Sequence, residues 1–558
     1  MNRNDAVGPL AVAAPILRLD GLSVRLPRNA DREHAIVDVS LALAPKEILC
    51  LVGESGSGKS ITSGAIMRLL PPGVSADSGS IVFEGRNLLA LSEAQMREVR
   101  GAQIAMVFQE PMTALNPLHT VGRQIGELFR IHTSLGDAAI GRRVRELLDE
   151  VRLPDPKSAA RAYPHELSGG QRQRAMIAMA LALEPRVLIA DEPTTALDVT
   201  TQAQILELIL DLQKRKGTAV LFITHDFGVV AEIADRVAVM QHGRLVEQGP
   251  AAQVLNAPSH PYTRQLIAAV PPLVPPKPTP IGTTSALVVT DVSKIYRTGG
   301  FLGRGARITQ ALDHVSLAVP KGATLGVVGE SGSGKSTLAR CIVRLIDPNG
   351  GHIRIGDVDL ATMSRRQLRA GTQRVQMVFQ DPFGSLNPRR RAGELVAQGP
   401  IAHGMPRREA LAKARSLFSL VGLDPAATDR FPHEFSGGQR QRIGLARALA
   451  LDPEILIADE PVSALDVSVQ AQVLRLLADL KTRLGLSMLF VTHDLRVAAQ
   501  ICDVVVVMKS GKVVEHGPTA EVFANPQATY TRELLAAIPG RDWSARPLPE
   551  DLIEEVSP

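Results

Sequence analysis

The sequence predicts an α/β protein built from two tandem copies of one domain, each a parallel sheet flanked by helices. Three observations lead there. Short apolar runs alternate with helical patterns, the mark of strand–helix crossovers. One glycine-rich octapeptide occurs twice, each time directly after an apolar run. Further motifs recur at a nearly constant offset. Lys59 returns as Lys335 (335 − 59 = 276) and Gln109 as Gln380 (380 − 109 = 271). Ser168, Asp191 and His225 return as Ser436, Asp459 and His493, each 268 later. An offset that drifts only across loops is the geometry of an internal duplication into two domains of about 260 residues.

Length and composition agree with this division. A chain of 558 residues is too long for one core. Apolar residues make up 45% and charged residues 21%, as in ordinary globular protein. The 62 basic and 57 acidic residues leave a net charge of +5, too small to argue for nucleic acid. Cys50, Cys341 and Cys502 are far apart, form no CxxC pair, and read as reduced core residues of a cytosolic protein. No run of 18 apolar residues is free of charge, so no membrane-spanning helix is expected. The short apolar piece 7–17 contains two prolines and makes a poor signal peptide. The chain is therefore expected in the cytosol, docking on membrane partners rather than crossing the bilayer.

The elements follow in order. Residues 1–15 are expected to be disordered. The first domain, 16–268, opens with strands at 16–19, 36–43 and 48–52, then a helix at 60–70. Strands follow at 80–84 and 104–108. Residues 111–164 form a helical insertion, with Arg, Glu and Leu at helical spacing. Strands at 187–190 and 219–224 enclose a helix at 201–214. The unbroken apolar character of these strands fits a parallel sheet covered on both faces, to which an antiparallel β portion is added. Segment 269–286 is a proline-rich, semi-rigid linker. The second domain, 287–538, repeats the plan. The tail 539–558 is rich in proline and acid and is expected to be flexible.

The repeated octapeptide carries the first chemistry. Gly53, Glu54, Ser55, Gly56, Ser57, Gly58, Lys59 and Ser60 fit the phosphate-loop pattern G-x-x-x-x-G-K-[ST]. So do Gly329, Glu330, Ser331, Gly332, Ser333, Gly334, Lys335 and Ser336. The glycines let successive N–H groups turn inward onto phosphate oxygens, and the next helix adds its positive end. Lysine reaches the β- and γ-phosphates, and the serine hydroxyl ligates Mg²⁺. Downstream, two apolar strands each end in an acid pair, Asp191–Glu192 and Asp459–Glu460. The aspartates suit Mg²⁺ coordination at a strand's carboxyl end, and the glutamates suit orienting a water at the γ-phosphate. Ser168, Gly169, Gly170 and Gln171 precede a basic helix, as do Ser436, Gly437, Gly438 and Gln439. The serine caps that helix, and its N-terminal amides can take phosphate.

Together the two loops, the acid pairs and the two Ser-Gly-Gly-Gln turns resemble the ATP-binding-cassette (ABC) ATPases over nearly the whole chain. The resemblance implies tandem P-loop domains, each with a RecA-like parallel core, an antiparallel β portion near the base and a helical subdomain. ATP and Mg²⁺ are the implied cofactors. Glu192 and Glu460 become the catalytic glutamates. Gln109 and Gln380 become Q-loop glutamines that sense Mg²⁺ and water and face the transmembrane partner. With Ser60, Ser336, Asp191 and Asp459 they form the implied metal set. His225 and His493, each in Thr-His-Asp, match the histidine that contacts the γ-phosphate. Ala196–Asp198 and Ala464–Asp466 match the D-loop. Family pairing is head-to-tail. One site then uses Lys59, Glu192 and His225 with Ser436 and Gly438; the other uses Lys335, Glu460 and His493 with Ser168 and Gly170. One departure stands out. The family offers an aromatic ring to adenine, which Tyr296 supplies in the second half. The aligned residue of the first half is Leu26, so weaker nucleotide binding is expected there.

Within the family the chain resembles the ATPase subunits of oligopeptide, dipeptide and nickel importers. The carriers are the extended Q-loops, 108–117 and 379–388, and the element Asn256-Ala-Pro-Ser-His-Pro-Tyr262-Thr263, of which 525–531 is a degraded copy. The cysteine cluster that some members carry for an iron–sulfur centre is absent. The implied protein is a fused, monomeric chain supplying both ATPase domains on the cytoplasmic side of the inner membrane. It energises import through two integral-membrane permease subunits and an extracytoplasmic solute-binding protein. Peptides are the expected cargo, with nickel, glutathione or another small solute as alternatives. A soluble tandem ABC protein acting on ribosomes or DNA is the reading of a different class. It calls for a charged helical linker or a long coiled-coil insertion, and this sequence has neither.

Overall fold

The computed structural model describes residues 14–195, 197–276, 282–298, 307–463 and 465–543. The N-terminal segment, part of the linker, Ala196 and Ala464 of the expected D-loops, and the tail from 544 lie outside the described residues. The chain divides into two compact units, with the main break between Ala268 and Ala269.

The first unit holds two sheets. β1 (Leu17–Arg25), β2 (His34–Leu43), β4 (Ser75–Phe83) and β5 (Arg86–Asn87) form an antiparallel sheet in the order β2-β1-β4-β5. The second sheet contains β3 (Ile48–Val52), β6 (Ile104–Val107), β7 (Val187–Asp191), β8 (Ala219–Ile223), β9 (Arg236–Gln241) and β10 (Arg244–Pro250). Its order is β10-β9-β3-β8-β7-β6. All its pairings are parallel except the hairpin β9–β10. All five residues of β3, β7 and β8 are buried, which is why they read as continuous apolar runs rather than alternating ones. Phe222 of β8 is completely buried at the centre.

The second unit repeats this arrangement. β11 (Ser285–Thr298), β12 (Arg307–Pro320), β14 (Gly350–Ile355) and β15 (Val358–Asp359) form its antiparallel sheet, ordered β12-β11-β14-β15. β13 (Thr324–Val328), β16 (Val375–Val378), β17 (Ile455–Asp459), β18 (Ser487–Thr492), β19 (Val504–Lys509) and β20 (Lys512–Pro518) form the other, ordered β16-β17-β18-β13-β19-β20. Each unit also carries helices that pack by their apolar stripes: Val121–His132 and Asp137–Glu150 in the first, Ala392–Ala402 and Arg407–Leu420 in the second.

Local chemistry moves several boundaries from their expected places. The helix expected at 60–70 spans Lys59–Ile66. Arg68 takes a left-handed conformation (φ 51°) that ends it, and its guanidinium donates to the carbonyl of Leu91 at 2.6 Å. The strand expected at 80–84 begins at Ser75, because Gly79 (φ 88°) lets it continue through a bulge against β1. The insertion at 111–164 is four separate helices, two of them short. The hairpins β9–β10 and β19–β20 have no counterpart among the expected elements. Each closes on two residues of positive φ, His242–Gly243 and Ser510–Gly511, the turn that right-twisted strands favour. The linker's beginning is held in place, with the carbonyls of Pro272 and Val274 accepting from Gln500 at 2.7 and 3.0 Å. The tail's first residues are held too, with Pro539 and Gly540 accepting from Arg496.

Candidate functional site

Three strand ends converge in each unit. In the first, β3 runs into the loop Gly53–Gly58, β7 ends at Asp191, and β8 leads through Thr224 to His225. Because β3, β8 and β7 are parallel neighbours, all three arrive at the same carboxyl edge, where open α/β sheets bind ligands. The backbone enforces the shape. Gly53 has φ 151°, and a Cβ on it would lie 2.3 Å from the carbonyl oxygen of Met240 in β9. Gly329 is held the same way, at φ 148° and 2.2 Å from the oxygen of Met508.

The lysines are buried and held by their own loops. Lys59 donates to the carbonyls of Gly53 (2.7 Å) and Glu54 (2.9 Å), and Lys335 to those of Gly329 and Glu330 (2.7 Å each). Burial pulls the ammonium of Lys335 below its ordinary value, against the nearby charges of Glu460 and Asp459. The hydroxyl of Ser57 is buried with no hydrogen-bond partner, a donor left over for an anion oxygen.

Ser60 donates to Asp191 at 3.2 Å, and Ser336 to Asp459 at 2.9 Å. Burial pushes both aspartates up, so each carboxylate is short of positive charge. A hydroxyl beside a carboxylate is a hard-oxygen donor pair that fits Mg²⁺. That ion takes few protein ligands and fills its shell with phosphate and water. Among the described residues no group of three or more His, Cys, Asp and Glu side chains is placed to hold a metal ion.

Glu192 gathers the remaining groups. It receives the Gln109 amide at 3.0 Å and the Thr195 hydroxyl at 2.9 Å, and its other oxygen lies 3.3 Å from His225 Nδ1. Glu460 receives Gln380 at 2.8 Å and lies 3.2 Å from His493 Nδ1. Burial alone would raise both glutamates, but the histidines reverse it and hold them below the usual carboxylate range. Both glutamates adopt φ 47°, which is costly for a residue with a side chain and typical of functional positions.

The signature turns play a different local part. Ser168 accepts from the Gln171 amide while Gln171 Oε1 accepts from the Ser168 amide, a capping box on the helix Gly169–Leu181. Ser436 and Gln439 do the same for Gly437–Leu449. The side-chain oxygen of each glutamine is thus engaged by the start of its own helix. Gly170 and Gly438 have no room for a Cβ, which would meet Thr201 and Val469 at 2.7 and 2.4 Å, whereas Gly169 has nothing near it. Tyr296 lies half-buried on β11 with the Lys294 ammonium 5.4 Å from its ring centre. Leu26 packs against the first unit's core.

Several contacts had no sequence signal. Ser63 adds a second hydroxyl to Asp191 at 3.2 Å, where the second unit has Ala339. Arg32 donates to the Gly56 carbonyl at 2.6 Å. Tyr262 and Tyr530 reach the residue after the first loop glycine, Glu54 and Glu330.

A phosphate loop, a Ser–Asp pair and a Glu–His pair on the carboxyl edge of a parallel sheet define a P-loop nucleoside triphosphatase, here in duplicate. The family model described as ABC transporter matches residues 36–195 and 312–463. A second, described as oligopeptide/dipeptide transporter, C-terminal region, matches 246–295 and 514–555. The chain is 49% identical over 528 residues to the peptidoglycan transport ATP-binding protein YejF of Agrobacterium fabrum (strain C58), covering 94% of this chain and 96% of that one. It is 46% identical over 560 residues to the glutathione import ATP-binding protein GsiA of Escherichia coli (strain K12), covering 94% and 90%. A solved dimeric ATP-binding cassette in a post-hydrolysis state with ADP and phosphate is 30% identical, with a TM-score of 0.38, covering 42% of this chain and 98% of that one. The chain belongs to the ABC transporter family, as a tandem ATP-hydrolysing, energy-coupling subunit.

The glutamate–histidine pair has a pH signature. Burial lowers the His493 imidazole, but Glu460 overcomes this and holds it above its ordinary value. The pair's stabilisation is therefore complete between the ordinary carboxylate and imidazole values, about pH 4.5 to 6.5. It is lost as pH rises through the raised histidine value or falls through the lowered glutamate value. In Glu460→Gln, burial is opposed only by the charge of Asp494, and NMR titration of His493 will show its pKa fall. An unchanged titration contradicts the assignment.

Proposed function

We propose that this subunit drives uptake of peptides, hydrolysing ATP at both loops on the cytoplasmic face of the membrane. The observation that carries the reading is the duplicate set of Glu–His and Ser–Asp pairs beside two intact phosphate loops. Neither half has lost a group that hydrolysis needs. In each half the loop amides and lysine bind the phosphates. Glutamate 192 or 460 accepts a proton from, and orients, the attacking water, and His225 or His493 holds that glutamate and the γ-phosphate in line. Gln109 and Gln380 position the same water. Ser60 with Asp191, and Ser336 with Asp459, would hold Mg²⁺, with Gln109 and Gln380 completing each set. When bound, the ion neutralises charge developing on the phosphate oxygens. The helix N-termini behind Ser168 and Ser436 offer amides to phosphate.

The partners of this reading are two integral-membrane permease subunits and an extracytoplasmic solute-binding protein. Among the described residues no helix is long and apolar enough to cross a membrane, which fits a peripheral role. Peptides are favoured by the two matches to the oligopeptide/dipeptide C-terminal region. The relative named for glutathione import keeps that small peptide as a second candidate.

Two measurements test this. Glu192→Gln and Glu460→Gln, made singly, will each lower ATPase turnover; a silent change at one with abolition at the other overturns the two-site reading. In a deletion strain, uptake of labelled di- and oligopeptides will be lost while nickel uptake persists, and the reverse pattern overturns the cargo. The halves also differ in grip. Leu26→Tyr will tighten nucleotide binding at the first loop by roughly 5- to 150-fold, the worth of one stacked base. Unchanged binding means Leu26 already packs the adenine as well.

A further inference from the structure

The element Asn256–Thr263 was singled out in the sequence, yet neither hydrolysis nor binding uses it. Its position in the fold gives it a purpose. In the first unit, β10 carries Glu247, whose carboxylate accepts from Ser259 N (2.7 Å), Ser259 Oγ (2.8 Å) and His260 N (3.1 Å). These bonds fix the start of the helix Pro261–Ala268, which Leu266 and Ile267 anchor by burial. The helix delivers Tyr262, itself buried, to the phosphate loop. Its hydroxyl accepts from the Glu54 amide at 3.2 Å and lies 3.3 Å from Glu54 Oε2.

Residue 54 is the point on which the loop turns. Its carbonyl accepts from Ser57 N at 3.1 Å and from the Lys59 ammonium at 2.9 Å. A hydroxyl on its amide therefore fixes the peptide groups that aim the lysine. The contact joins residues 208 apart in sequence, so nothing local could supply it.

The second unit repeats the device although its sequence has drifted. Ala528 replaces His260 and Thr529 replaces Pro261. Glu515 nevertheless accepts from Gln527 N (2.7 Å) and Ala528 N (3.1 Å) at the head of the helix Thr529–Ala536. Tyr530, also buried, accepts from the Glu330 amide at 3.1 Å, and the Lys509 ammonium lies 4.3 Å from its ring centre. What the degraded copy retains is the glutamate, the tyrosine and their contacts.

We propose that Tyr262 and Tyr530 are positioning residues that hold the two phosphate loops in their ATP-binding shape. This gives the C-terminal region of each unit a role in nucleotide binding. The tyrosine hydroxyls meet the loops at the Glu54 and Glu330 amides, so the effect falls on binding and not on the chemical step. The proposal rests on the loops being the ATP sites. Wild-type binding reads that parent assignment, and the change on substitution reads the tyrosines.

The experiment titrates full-length Tyr262→Phe and Tyr530→Phe with a fluorescent ATP analogue and Mg²⁺, alongside ATPase kinetics and melting. Each change deletes only the hydroxyl. Each is expected to raise Kd for one of the binding events and KM for ATP about three- to tenfold, the effect of one lost hydrogen bond. The turnover number stays near wild type, and melting shifts by less than about 2 °C. Unchanged Kd and KM overturn the proposal. So does a loss of binding that follows a large fall in melting temperature in both variants, which makes the tyrosines mere packing.

Discussion

Burying a lysine ammonium at the head of a helix is the constraint on which each half of this protein depends. A charge removed from water must find partners, and Lys59 and Lys335 find them in the carbonyls of their own loops. For those carbonyls to point inward the loop has to double back, so Gly53 and Gly329 press against a neighbouring strand where no Cβ fits. That strand, β9 or β19, is held between β3 or β13 on one side and its hairpin partner on the other. The acids at the ends of β7 and β17 then face the same edge, and burial keeps them hungry for a cation. Charge, loop and sheet thus form one arrangement.

Much of this was legible in the sequence because its physical demands are local. A phosphate loop needs its glycines, lysine and serine in one octapeptide, and a strand buried on both faces needs an unbroken apolar run. Strands β3, β7 and β8 therefore emerged from Ile48–Val52, Val187–Asp191 and Ala219–Ile223 within a residue or two. The histidines stood out by their matched positions in the two halves, though their pairing with Glu192 and Glu460 and the left-handed backbone there could not be anticipated.

The parts that escaped depend on distant partners or on turn chemistry of ordinary appearance. His242–Gly243 carries no asparagine or aspartate to announce a hairpin, so β9 and β10 went unread. Tyr262 read only as part of the importer-like element Asn256–Thr263, since its partner lies 208 positions away. The capping of their own helices by the side-chain oxygens of Gln171 and Gln439 was not anticipated. Ser63 read as one more helix residue until the fold brought it to Asp191. The duplication itself separates necessity from accident. The loops, acid pairs and tyrosines occur in both halves, while Ser63, Leu26 and His260 have lost or changed their counterparts.

The central claim is that one chain carries two complete phosphate loops, each of which takes its own nucleotide. Isothermal titration with MgATP in Glu192→Gln/Glu460→Gln protein, where turnover is suppressed, tests it most directly. The account predicts two nucleotides per chain, and loss of one when either Lys59→Ala or Lys335→Ala is added, with the weaker event belonging to Lys59. A single nucleotide per chain, or loss of both events from one lysine change, contradicts it.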